Sequence, residues 1–297
     1  MKTEKSIFVA FILNLSFSVF EFAGGIFSGS VAILSDAIHD MGDSLSLGIS
    51  FFLEKISKKQ PDDKYTFGYT RYSVLGSLVT TLILLYGSVM VILNAISRII
   101  TPVEVNYDSM ILFAIIGITV NFGAVLITRH GNSLNQKAVN LHMLEDVLGW
   151  IVVLIGSFIM RFTHFTILDP IMSIGVAIFI LVNVFKNLKE ITDLFLEKIP
   201  RGININDIRE HLLKIDGITD VHHIHIRSID SRNNHATMHI VTNSDSYQIK
   251  EKVRKELQNH NINHVTLELE SENEHCHQIN CRIDSDSGCS GCHHHSH

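Results

Sequence analysis

Residues 29–47 read GSVAILSDAIHDMGDSLSL, and this stretch decides the fold. It is apolar enough for lipid, yet it carries His39 and, four positions later, Asp43. On an α-helix, positions i and i+4 share a face and lie about 6 Å apart along the axis. Such a helix offers one imidazole nitrogen and one carboxylate oxygen to a common point. The same spacing returns in LHMLEDVLGW, residues 141–150, with His142 and Asp146. Two such helices side by side supply two nitrogens and two oxygens, a tetrahedral set of the kind zinc accepts. An aspartate at the centre of a span costs roughly 2.5–3.5 kcal/mol to insert. Two matched couples therefore read as a site, whereas polar bonding between helices is the plainer account of either couple alone.

Working outward, a span needs about 20 apolar residues to cross about 30 Å of hydrocarbon. Six stretches qualify: 7–27, 31–53, 72–96, 110–128, 138–160 and 167–185. The first outruns a secretory signal and contains Glu21, so it reads as a retained span. Lys55, Lys58, Lys59, Arg129, Lys186 and Lys189 gather on one side, against Arg98 and Arg161 on the other. The positive side is expected to be cytoplasmic, with both termini inside. A 46% hydrophobic, 18% charged composition favours lipid, and a net charge of -6 gives no case for nucleic acid. Among other polar residues in the spans, Glu21 is expected to line a cavity. Asp36 and Asp40 are expected to point to other faces than the ligands and to serve structural hydrogen bonding or cavity electrostatics, and Asn14 and Asn121 to bond between helices. Asp169 reads as a helix N-cap, and Gly24 and Gly25 as points of close helix approach.

Beyond residue 200 the texture changes. An amphipathic helix (204–215), a strand with a local irregularity (221–229), a second strand (236–241), a second helix (247–259) and a third strand (264–269) give the order αββαβ. The fold class is thus a six-helix transmembrane bundle (1–190) followed by a small α+β domain (200–270), with helices on one face of a sheet. Asn233 and Asn234 are expected to form the turn between the first two strands. In the first strand, His223 and His225 should share a face while His222 turns the other way. Residues 271–297 form a Cys/His-rich tail, expected to lack order without metal. All four cysteines lie there: Cys276 and Cys281, then Cys289 and Cys292 at a zinc-chelating C-x-x-C spacing. The closing HHHSH fits either an appended tag or a native metal-collecting tail.

The quoted second- and fifth-span stretches, together with LDPIMSIGVA (168–177), resemble the cation diffusion facilitator family over nearly the whole chain. This resemblance implies a dimeric zinc/proton antiporter of ferredoxin-like cytoplasmic domain, with His39, Asp43, His142 and Asp146 as the transport site. It also aligns His222, His239 and Glu270 with a regulatory zinc site, and Arg71 and Glu197 with a hinge contact of the homodimer. Some bacterial members carry a further loop site in a DD-x-H-x-F-G-H pattern. Here the loop reads PDDKYTFGYTR (61–71), with Tyr65 and Tyr69 at the histidine positions. No loop site is therefore expected, and Asp62 and Asp63 read as solvated charges.

The expected activity is zinc efflux by a secondary active transporter, not an enzyme, embedded in the lipid of the plasma membrane. Metal and proton compete for the same donor atoms, and histidine titrates near neutrality, so His39 and His142 are the expected proton carriers. The alternatives are export of another divalent metal on the same fold, and a membrane metal sensor. Two imidazoles argue against manganese. No HExxH or comparable motif supports a metalloenzyme.

Overall fold

The structure is a computed structural model that describes residues 3–28, 31–101, 107–129, 133–163 and 168–272. The chain divides into two compact units, Met1–Asp193 and Leu194–His297.

The first unit is helical: α1 (Thr3–Ser28), α2 (Val31–Ile56), α3 (Arg71–Ile100), α4 (Tyr107–Thr128), α5 (Leu134–Thr163) and α6 (Leu168–Phe195). Among the described residues, α1, α3, α4 and α5 contain stretches long and apolar enough to cross a membrane. Helix α2 carries Asp36, Asp40 and Asp43, which lower its hydropathy. Helix α1 packs on α2 and α4, and α5 packs on α4 and α3. Inside the unit many polar residues are buried beside apolar clusters, and many large apolar side chains face outward. Helix α3 buries Ser73, Ser77, Thr80, Thr81 and Ser88, while its Leu75, Leu82 and Tyr86 are exposed. That arrangement suits a hydrocarbon solvent, in which helices associate through small residues and hydrogen bonds rather than through burial of oil. Ser77 Oγ donates to the Leu134 carbonyl at 3.1 Å, and Asn187 Nδ2 donates to Thr81 Oγ1 at 2.7 Å.

Glycines set two of the close approaches. A Cβ on Gly24 would lie 2.7 Å from the Phe113 ring, which places α1 hard against α4 as the sequence suggests. A Cβ on Gly117 would meet three indole atoms of Trp150 at 2.7 Å, so only glycine admits that ring between α4 and α5. Asn14 bonds between helices as expected. Asn121 does not: it is 1% exposed, and neither of its amide atoms has a hydrogen-bond partner among the described residues. The side chains of Asp36 and Asp169, and the surroundings of Gly25, lie outside what the structure describes.

The second unit follows the order α7 (Ile205–Leu213), β1 (Ile218–Ser228), β2 (Asn234–Thr242), α8 (Ser246–Asn259) and β3 (Ile262–Glu270). Asn204 caps α7 through the Asn206 amide, and Asp245 caps α8 through the Gln248 amide. Strand β1 runs antiparallel to β2, and the α8 crossover makes β3 parallel to β2. Ile208, Leu212, Ile249, Val253 and Leu257 from the helices meet Val221, Met238 and Ile240 from the sheet in one core. The turn before β2 is organised by Asp230, which is 2% exposed and accepts from the Arg232 and Asn233 amides. Asn234 lies in the strand rather than in the turn.

The irregularity in β1 is a bulge. His222 pairs with His239 and His225 with Thr237, so two residues of β1 oppose one of β2. His223 takes a left-handed φ of 50° there. Val221 and Ile226 are five apart, an odd spacing that a regular strand would put on opposite faces. The extra residue lets both reach the core.

Candidate metal centre

Helices α2 and α5 bring Asp43, His142 and Asp146 together. Each offers one ligand atom, and the three atoms lie within 4.8 Å of one another. His142 Nε2 stands 3.9 Å from Asp43 Oδ2. Asp43 is 8% and His142 2% exposed, and neither nitrogen of the His142 ring has a hydrogen-bond partner among the described residues. Leaving a buried polar group unbonded costs about 1–3 kcal/mol. An imidazole held in that way beside two carboxylates is a donor set for a divalent cation. The side chain of His39 lies outside the described residues.

The cluster opens on a cavity of about 370 Å³ within the first unit, also lined by Glu21, Asp40, Glu145 and Arg98. Acidic groups outnumber basic ones on these walls, which draws cations in. Glu21 lines the cavity, as its place in the first span suggests. Asp40 does too, which is one of the two roles expected of it, although not on the separate face expected: it sits three residues before Asp43, and i and i+3 share a helix face. Glu145 was not apparent from the sequence. It accepts from Ser88 Oγ at 3.2 Å, and its only signal was its place beside Asp146. Asn14 ties three helices at the cluster. Its Nδ2 donates to Asp146 Oδ2 at 3.4 Å, and its Oδ1 accepts from Ser44 Oγ, next to Asp43. Such second partners fix a ligand's orientation.

In the loop between α2 and α3, Asp62 is more than a solvated charge. It accepts from the Lys64 and Tyr65 amides at 3.0 and 2.8 Å and from Tyr69 Oη at 2.6 Å. Those bonds, the Tyr69 bond first, hold its carboxyl below the ordinary value and push the Tyr69 phenol up to about 12.

The second unit gathers His222, His239 and Glu270 on the sheet face that its helices leave uncovered. His222 Nε2 lies 3.3 Å from Glu270 Oε2, and His239 Nδ1 2.5 Å from Glu270 Oε1. Glu268 reaches His239 Nε2 at 3.2 Å. Because of the bulge, His222 does not turn away from His223. The His222, His223 and His239 rings lie 4.8–5.3 Å apart, centroid to centroid. Asp220 faces His222 Nδ1 at 3.2 Å. Burial works to raise its carboxyl, but bonds from the Arg209 guanidinium and the Val221 amide outweigh burial and hold it below its ordinary value. Glu197, at φ 56°, accepts from Arg227 within this unit at 2.7 Å. Arg71 is the first residue of α3. Cys276, Cys281, Cys289 and Cys292 lie outside the described residues.

A unit of long apolar helices with a buried His–Asp cluster on an acidic cavity, joined to a small α+β domain, defines a membrane cation transporter. The chain belongs to the cation efflux, or cation diffusion facilitator, family of divalent-metal transporters. The family's cation efflux transmembrane domain matches residues 7–196, and its cation efflux protein cytoplasmic domain matches residues 200–272. Among curated relatives, the chain is 31% identical to "Zinc transporter ZitB" of Yersinia pseudotuberculosis, over 99% of this chain and 96% of that protein. It is 31% identical to the "Cadmium, cobalt and zinc/H(+)-K(+) antiporter" of Bacillus subtilis, over 91% and 89% of the two chains. It is 28% identical to "Metal cation efflux system protein CzcD" of Cupriavidus metallidurans, over 90% and 86%.

Proposed function

We propose that the chain exports zinc from the cytoplasm across six spans in exchange for protons, with Asp43, His142, Asp146 and His39 as the tetrahedral transport site. The observation that carries this reading is the convergence of Asp43, His142 and Asp146 from two helices onto one point beside an acidic cavity. Metal binding requires a neutral imidazole, so arriving protons displace the cation and leave on His39 and His142. Asn14 holds Asp146 towards the ion, and Glu21, Asp40 and Glu145 concentrate cations at the entrance. The relatives' names support zinc first, with cadmium and cobalt as companions. Two imidazoles also favour this group over manganese.

In this reading the protein works as a homodimer in the plasma membrane with both termini cytoplasmic. Zinc held by His222, His239 and Glu270 biases the transport equilibrium as a population shift. Arg71 and Glu197 form the dimer hinge, Glu197 sharing its carboxylate with Arg227. The cysteines of the tail gather metal for the domain.

The test is zinc flux in proteoliposomes under an imposed pH gradient. Asp43→Ala and Asp146→Ala are expected to abolish flux in protein that still elutes as folded. Persistent flux in both variants overturns the site, and zinc binding without flux in the wild type favours a sensor. Competition by cadmium, cobalt and manganese in the same assay ranks the substrates.

A further inference from the structure

The second unit holds another cluster, in its helix layer. His211 lies in the last turn of α7, and His260 is the C-cap of α8, one turn after Glu256. His211 Nδ1 and His260 Nε2 are 2.9 Å apart, and each is 3.5 Å from the same oxygen, Oε1 of Glu256. Two ligands on a tetrahedral zinc, each about 2.0–2.1 Å from the ion, are about 3.3–3.4 Å apart. The three donor atoms thus outline one face of such a tetrahedron to within a few tenths of an ångström.

The alternative is a hydrogen bond between the two rings with the carboxylate as a bystander. The carboxylate's orientation argues otherwise. Glu256 Oε2 accepts from Asn259 Nδ2 at 3.2 Å, which turns Oε1 towards both rings at a ligand-edge separation rather than towards one at bonding distance. The neighbours Leu212 and Leu257 are fully buried in the core and fix both backbones. The three side chains remain 44%, 31% and 22% exposed for His211, Glu256 and His260, so an ion has a route in and a fourth position open to water.

We propose that His211, Glu256 and His260 form a zinc-class metal site that fastens the C-terminal end of α7 to that of α8. Two imidazole nitrogens and one carboxylate oxygen suit zinc, cobalt or nickel over magnesium or calcium. The site lies on the helix side of the sheet, whereas His222, His239 and Glu270 lie on the open face, so the two fill independently. It does not depend on the transport reading.

The full-length protein in detergent, dialysed to equilibrium against radioactive zinc at micromolar concentrations, tests it alongside Glu256→Gln and the double variant His211→Ala/His260→Ala. Each variant is expected to hold one zinc fewer per chain than the wild type. Zinc is expected to slow amide exchange about tenfold in the last turns of α7 and α8 of the wild type, and not in the variants. Protection of β1 and β2 around His222 and His239 should persist in all three. Equal zinc in the wild type and Glu256→Gln, which keeps both rings, overturns the site. So does a lost zinc with no local change in exchange, because the missing ion then sat elsewhere. Failure of the flux assay leaves both measurements unaffected.

Discussion

At the residue scale, the spacing of His142 and Asp146 is visible in the sequence because a helix converts i and i+4 into neighbours. Partners contributed by other helices carry no such mark. Asn14 reads as an interhelical hydrogen-bonder, but nothing in the sequence says that its amide lands on Asp146. If it orients that carboxylate, Asn14→Ala should lower zinc flux about tenfold or more at subsaturating zinc while leaving the protein folded. Flux against zinc concentration checks this, and an unchanged curve would make Asn14 a helix fastener only. Glu145 escaped notice for a related reason. A pattern search ranks residues by motif, whereas a cavity collects every side chain on its wall whatever its motif.

At the scale of elements, the strands and helices of the second unit follow their periodicity to within a few residues. The bulge in β1 shows in the sequence only as a broken alternation. Its effect on His222 could not be read there, because one extra residue reverses which side chains share a face. In the first unit, a close approach depends on the absence of a side chain. Gly117→Ala would drive a methyl into the Trp150 indole between α4 and α5. Overpacking of that kind costs about 1–3 kcal/mol. It should lower the thermal midpoint in detergent, while Gly123→Ala, with nothing within 4 Å of the added carbon, should not.

The His235–His264 pair across β2 and β3 gives the second unit a pH dependence. Burial first, then repulsion from His264 and Arg227, holds His235 below its ordinary 6.5, partly opposed by Asp230. The unfolded chain therefore takes the proton before the folded one does. The associated stability is complete above 6.5 and is lost as pH falls through the lowered folded value. Between about pH 7.5 and about pH 5.5, amide exchange in β2 and β3 should quicken more in the wild type than in His235→Gln. Equal acceleration in the two proteins would show that His235 contributes nothing to it.

At the scale of the whole molecule, two compact units imply that unfolding is not a single step. Trp150 is the chain's one tryptophan and lies in the helical unit, so its fluorescence reports that unit alone. In urea, far-ultraviolet ellipticity should begin to fall at lower denaturant than Trp150 emission changes. Coincident curves would mean that the units unfold together. The two-part texture of the chain is plain in its sequence, since one stretch is rich in apolar runs and the next alternates.

Which face of each long helix turns inward is much harder to read, because hydropathy marks the lipid side rather than the packed side. In helix α3, the outward Leu75, Leu82 and Val89 need only be greasy, so one oil can replace another there and genetic drift can run freely. Its inward Ser77 and Thr81 are committed to particular partners on α5 and α6. On α3 the large outward residues are the expendable ones, and small hydroxyls of modest appearance carry the memory of the fold.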